Sequence, residues 1–177
     1  GSRFWFRFAA EAVSAEDERP QNERLPEVPA SSSKYSHPLS GHVLVVEDNA
    51  TNSKVIELLL KKLGITCSLA VDGQQAVEIV TAGKTLDAIL MDIHLPVLDG
   101  YAATEKIRQW ECANGQVRRP IIALTANVFD DDRQRSKQAG MDDFLSKPIE
   151  YAALQRTLGK WLPMGTNKST VNLPSGT

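Results

Sequence analysis

Cysteine is scarce in this chain: Cys67 and Cys112 are the only two in 177 residues, and they show neither CxxC spacing nor a neighbouring histidine. That sets aside a disulfide framework and a zinc site, and points to a reducing, cytosolic setting. Charge of one sign is also lacking. Twenty Lys and Arg are interspersed among twenty-two Asp and Glu, for a formal net charge of -2, so the basic stripe that nucleic acid would need is missing. No uncharged apolar run approaches the roughly 20 residues of a membrane span. The first residues lack the charged-then-apolar build of a signal peptide.

What is there falls into four stretches. In residues 1–10, GSRFWFRFAA, Phe4, Phe6 and Phe8 alternate with Trp5 and Arg7, the period-two pattern of a half-buried strand. With no partner strand beside it in sequence, this stretch is expected to be a remnant of a preceding domain or an element that docks wherever apolar surface is free. Residues 11–41 hold Pro20, Pro26, Pro29, Pro38 and the run Ser31 to Ser33, too few apolar groups to offset the entropy of ordering, and are expected to form a linker. From His42 to Leu162 short apolar runs alternate with amphipathic stretches. The tail 163–177 is rich in Gly, Pro, Ser, Thr and Asn and is expected to be disordered.

The third stretch repeats one couplet. Val43 to Val46 is an all-apolar run, followed by Val55, Ile56, Leu59, Leu60 and Leu63 at helical spacing, with Gly64 closing the helix. The couplet recurs as Ile65–Ala70 with Gln74–Thr81, Ala88–Met91 with Tyr101–Trp110, Ile121–Leu124 with Val128–Ala139, and Asp143–Leu145 with Tyr151–Trp161. Near-continuous apolar strands between helices predict an α/β fold, a doubly wound parallel sheet of five strands covered on both faces.

Ligands in such sheets bind beyond the carboxyl ends of the strands. The polar residues expected there are Glu47 and Asp48 after the first strand, Asp92 after the third, Thr125 after the fourth and Lys147 after the fifth. Nothing comparable follows the second, as expected of an edge strand in the order 2-1-3-4-5. Three carboxylates gathered this way repel unless a cation sits among them. Mg²⁺ suits an all-oxygen site with few protein ligands; the candidate ligands are Asp48, Asp92 and the backbone carbonyl near His94, with Glu47 acting through water. An Asp92 oxygen could then attack phosphorus in line, with Lys147, the Thr125 hydroxyl and the main-chain N–H groups around His94 and Ala126 on the phosphoryl oxygens. His94 and Asn127 flank that group. Taken singly each residue has a plainer reading: Asp92 as a cap, Glu47-Asp48 capping the helix near Ala50, Lys147 as a solvated lysine. The segment Ala82-Gly83-Lys84-Thr85 lacks the first glycine of a phosphate-binding loop and leaves a helix instead of entering one.

The strings HVLVVEDNATN, LMDIHLPVLDG, ALTAN and DDFLSKP, in this order and spacing, resemble the response-regulator receiver family, close to the receivers of hybrid sensor histidine kinases. The resemblance covers residues 42–162 and implies a flavodoxin-like fold. It also implies Glu47 and Asp48 as the acidic pair, Asp92 as the phosphorylation site, Thr125 and Phe144 as the switch pair, and Lys147 with a cis bond to Pro148. The implied partners are the phosphohistidine of a sensor kinase and a histidine phosphotransfer domain, docking near Val55 and Ile56 on the first helix. Residues 1–10 are similar to the closing strand of a histidine-kinase ATP-binding module, which implies a hybrid kinase as the parent; that parent is expected to be anchored in the inner membrane. Only self-phosphorylation and dephosphorylation are expected of the fragment itself. Two alternatives stand beside this reading. An aspartyl phosphatase usually has a second acid where this chain has His94, and a degenerate receiver would act only as a binding surface.

Overall fold

The structure, a computed structural model of the chain, describes residues 39–126 and 130–163. The expected strand at 1–10, most of the linker, most of the tail, and Asn127 lie outside the described residues. Five strands, β1 (His42–Val46), β2 (Thr66–Ala70), β3 (Ala88–Asp92), β4 (Ile121–Thr125) and β5 (Asp143–Ser146), alternate with α1 (Ala50–Lys62), α2 (Gly73–Thr81), α3 (Gly100–Ala113), α4 (Asp130–Ala139) and α5 (Tyr151–Trp161). All pairings are parallel, in the order β2-β1-β3-β4-β5. The chain therefore reverses its winding between β1 and β3, and the loops after these two strands part to leave a crevice.

Strand periodicity sorts the core into two layers. Leu44, Val46, Ile89, Met91, Ile121 and Ala123 face α2, α3 and α4, where Ala76, Val80, Ala103 and Ile107 meet them. Their neighbours Val43, Val45, Leu90, Ile122 and Leu124 face α1 and α5, against Ile56, Leu60, Leu154 and Leu158. Each fully buried side chain of this size contributes about 1.5–3 kcal/mol of transfer free energy, so the central strands are held from both faces. Leu39, inside the stretch expected as linker, is 3% exposed and packs into the second layer.

Local signals set the helix ends. Gly64 at φ +81° lets its own N–H reach Lys61 O and that of Ile65 reach Leu60 O, the paired bonds of a left-handed C-terminal cap. At the other end of α1 the capping side chain is Asn49, whose Oδ1 accepts from the N–H groups of Thr51 and Asn52. The alternative of Glu47-Asp48 as the cap gives way to this arrangement, and Asp48 is left exposed at the crevice. Asp72 and Asp99 cap α2 and α3 in the same manner. At the start of α3 a Cβ on Gly100 would lie 2.1 Å from the backbone oxygen of Asp92, so only glycine allows the loop after β3 to close this tightly.

Candidate functional site

Strand ends deliver the expected acids to one place. Glu47 and Asp92 are buried, 1% and 5% exposed, while Asp48 is exposed, and one carboxylate oxygen from each lies within 4.8 Å of the others. Lys147, half-buried in the loop after β5, bridges two of them: its Nζ stands 2.6 Å from Glu47 Oε2 and 2.6 Å from Asp92 Oδ2. Its backbone N–H donates to Thr125 O at 2.7 Å, and the Lys147-Pro148 bond is cis. Burial pulls the Lys147 pKa down, but the hydrogen bond to Asp92 and the negative charges of Asp92 and Glu47 outweigh it and hold the ammonium above its ordinary value.

The remaining expected residues are distributed around this cluster. Thr125 is 3% exposed at the end of β4, and Ala126 follows it, exposed. His94 is exposed, and its backbone N–H donates to Asp92 Oδ1 at 3.2 Å. Phe144 is half-buried against the first core layer, and the Arg133 guanidinium covers its ring at 4.2 Å from the centroid. A cavity of about 150 Å³ opens beside Glu47 and Lys147 and is walled by Asn52, Val55, Ile56, Pro148 and Ile149. Val55 is 46% exposed but Ile56 only 1%. Adjacent helical residues point about 100° apart, so Val55 carries the free surface and Ile56 reaches the cavity from the core.

Two contributors were not among the residues expected from sequence. Asn52 Nδ2 donates to Glu47 Oε1 at 2.8 Å, and Ser53 Oγ donates to Glu47 O at 3.3 Å. Their place in the first turn of α1 was visible, but the direction of a polar side chain on a helix is set by what the neighbouring strand end offers.

The residues fit a hard divalent cation. Glu47 Oε2 is buried, and among the described residues no donor makes an aligned hydrogen bond to it, although the Lys147 charge is near. The donor set is oxygen throughout, which suits such an ion. A buried carboxylate oxygen with a spare lone pair beside two further carboxylates is an arrangement a cation would complete.

A parallel α/β sheet with three acids and one lysine at its winding reversal defines a phosphoacceptor class of signalling domain. Residues 43–158 match the response regulator receiver domain, and the chain belongs to that family. It is 38% identical over 133 residues to hybrid signal transduction histidine kinase L of Dictyostelium discoideum, a match covering 74% of this chain and 8% of that protein. The chain thus spans less than a tenth of that relative's length. Among solved structures it is similar to the receiver domain of sensor histidine kinase PA1611 from Pseudomonas aeruginosa PAO1, solved with a magnesium ion in the active-site cleft. That likeness has 50% identity and a TM-score of 0.61, covering 69% of this chain and 97% of that one. It is also similar to the receiver domain of Ssk1 from Saccharomyces cerevisiae, crystallised with the histidine phosphotransfer protein Ypd1. Here the identity is 37% and the TM-score 0.66, over 70% of this chain and 89% of that one. The chain is accordingly a receiver domain of two-component phosphorelay signalling. Among its described residues no helix is long and apolar enough to cross a membrane.

Proposed function

We propose that this domain takes a phosphoryl group onto Asp92 from a phosphohistidine and exchanges it with a histidine phosphotransfer protein, as the receiver of a hybrid sensor histidine kinase. The observation that carries this reading is the Lys147 ammonium at 2.6 Å from Asp92 and Glu47 alike, with Asp48 at the same crevice. An Asp92 oxygen attacks phosphorus in line, an acyl phosphate forms, and the phosphorus–nitrogen bond of the donor breaks. Its electron pair returns to the imidazole, which takes a proton from solvent.

Lys147 then follows one phosphoryl oxygen as a point charge. The Thr125 hydroxyl and the N–H groups of His94 and Ala126 donate to the others, with the His94 side chain shielding the group. Asp48, Asp92 and the His94 carbonyl, with Glu47 through water, would hold Mg²⁺, whose charge would let three acids and a phosphoryl group share one crevice. Movement of Thr125 toward the phosphoryl group frees space for Phe144 to turn inward, and the surface of α4, β5 and α5 changes with it. The partner docks over Val55 and the adjoining cavity. In the parent protein the domain works on the cytoplasmic side of an inner-membrane kinase.

Incubation with acetyl phosphate and Mg²⁺, followed by intact-mass measurement, tests the chemistry. One phosphoryl group per chain is expected, lost with chelator and with Asp92→Asn. Uptake that survives Asp92→Asn overturns the assignment. Multiple turnover of simple phosphoesters would instead support an aspartyl phosphatase, and no uptake by the unaltered chain a degenerate receiver.

A further inference from the structure

We infer that Asn52 is a positioning residue for the cation site: its side-chain amide holds one oxygen of Glu47 so that the other stays turned toward Asp48, Asp92 and Lys147. The inference rests on the reading of this crevice as a Mg²⁺ site, and gives a role to Asn52, which closes the string HVLVVEDNATN but lies outside the acidic cluster.

The Glu47 side chain keeps its own torsions, and Asn52 restrains the carboxylate at their end. The backbone of Glu47 is pinned on both sides, its N–H donating to Ala70 O at 3.0 Å and its carbonyl accepting from Ser53 Oγ at 3.3 Å. These bonds leave the side-chain torsions free, the softest being rotation of the carboxylate about its terminal bond. Lys147 alone does not stop it, because the Lys147 contact to Oε2, though 2.6 Å long, is not an aligned hydrogen bond. The directed bond is the one at Oε1, from Asn52 Nδ2 at 2.8 Å. Asn52 is itself anchored, since its backbone N–H donates to the capping oxygen of Asn49 at 3.2 Å. A chain of contacts therefore runs from the cap of α1 through Asn52 and Glu47 to Lys147 and Asp92.

The residue type also matters. A neutral amide satisfies a buried carboxylate oxygen without adding a second positive charge that would repel an incoming cation. A lysine or arginine in its place would compete with the ion, and an apolar residue would leave Oε1 unpaired at a nearly fully buried site. Partners of this kind, bonded to groups that face a metal, typically change affinity by about 10–100-fold when removed.

The test is Mg²⁺ titration of the unphosphorylated chain, followed by calorimetry and amide chemical shifts, so that no phosphoryl transfer is needed to read it. Asn52→Ala is expected to bind Mg²⁺ about tenfold more weakly, the low end of that range. Its thermal midpoint in chelator should fall, because the unpaired Glu47 oxygen costs more than the better helix propensity of alanine returns. Thr51→Ala, one residue away with its backbone N–H still on the cap, should bind as the unaltered chain does. The decisive arm is the Glu47→Gln background: if Asn52 acts through Glu47, adding Asn52→Ala there changes affinity no further. Equal Mg²⁺ affinity in Asn52→Ala, or the same tenfold loss with Glu47 already replaced, overturns the inference while leaving the metal site standing. Absence of Mg²⁺ binding by the unaltered chain overturns the inference and the site together.

Discussion

Lys147→Met isolates what the central ammonium does, because methionine retains much of the stem and loses only the charge. In the native domain Nζ lies 2.6 Å from oxygens of Glu47 and Asp92, whose side chains are 1% and 7% exposed, while that of Lys147 is 20% exposed. Each contact has a gross Coulomb energy of about 6 kcal/mol at an effective dielectric of about 20. Most of this is offset by desolvation of the three groups, and removing one partner from a buried pair typically costs about 3–5 kcal/mol net. The lower value applies here, since Lys147 is in part solvated. A loss of about 3 kcal/mol in chelator corresponds to a fall of roughly 10 °C in Tm for a domain of this size. Added Mg²⁺ should then raise Tm more in the variant than in the native chain, because the ion takes over neutralisation of the acids and no longer meets a competing ammonium. Thermal melts by circular dichroism, with chelator and with saturating Mg²⁺, give all four values. Equal Tm in chelator, or an equal Mg²⁺ increment in both chains, would refute the account of Lys147 as the charge that holds the acids together.

Three further outcomes are expected, one for the same lysine and two for residues elsewhere. The difference in stability between native chain and Lys147→Met should stay constant from neutral pH up to the ordinary lysine value of 10.5 and shrink above it, because the raised folded-state pKa keeps the ammonium charged until then; denaturant melts at stepped pH measure this. Gly100→Ala places a Cβ 2.1 Å from Asp92 O and should cost about 1–3 kcal/mol while displacing the Asp92 backbone, read as a lower Tm with, on the proposed function, reduced acetyl phosphate labelling. Arg108 binds Gly140 O, Arg119 O, Glu111 and Asp142. Arg108→Met should cost about 3 kcal/mol in chemical denaturation and leave Mg²⁺ affinity unchanged, since this network lies at the amino-end edge of β4 and β5.

Sequence reading recovered the architecture because the central strands are buried on both faces. That condition writes itself into composition as runs such as Val43 to Val46 and Ile121 to Leu124, and the same runs point to where the strands stop. The acids, Thr125 and Lys147 stood out because a polar residue at the end of such a run has few other places to go. Other features carry no comparable local mark. Asn49 and Asp48 are near-equal candidates for a helix cap, and only the crevice, which leaves Asp48 at the acidic cluster, selects Asn49. Val97 adopts φ +64°, a conformation disfavoured for a β-branched residue, so closure of the loop between β3 and α3 overrides its own preference. The bonds of Asn52 to Glu47 and of Arg133 to Phe144 join residues whose meeting depends on how α1 and α4 seat on the sheet. Periodicity and strand-end chemistry belong to single segments, so the amino-acid order alone determined the five strands, their flanking helices and the identity of the acidic cluster. Which oxygen faces which donor depends on angles between segments, and those are settled only when the helices pack.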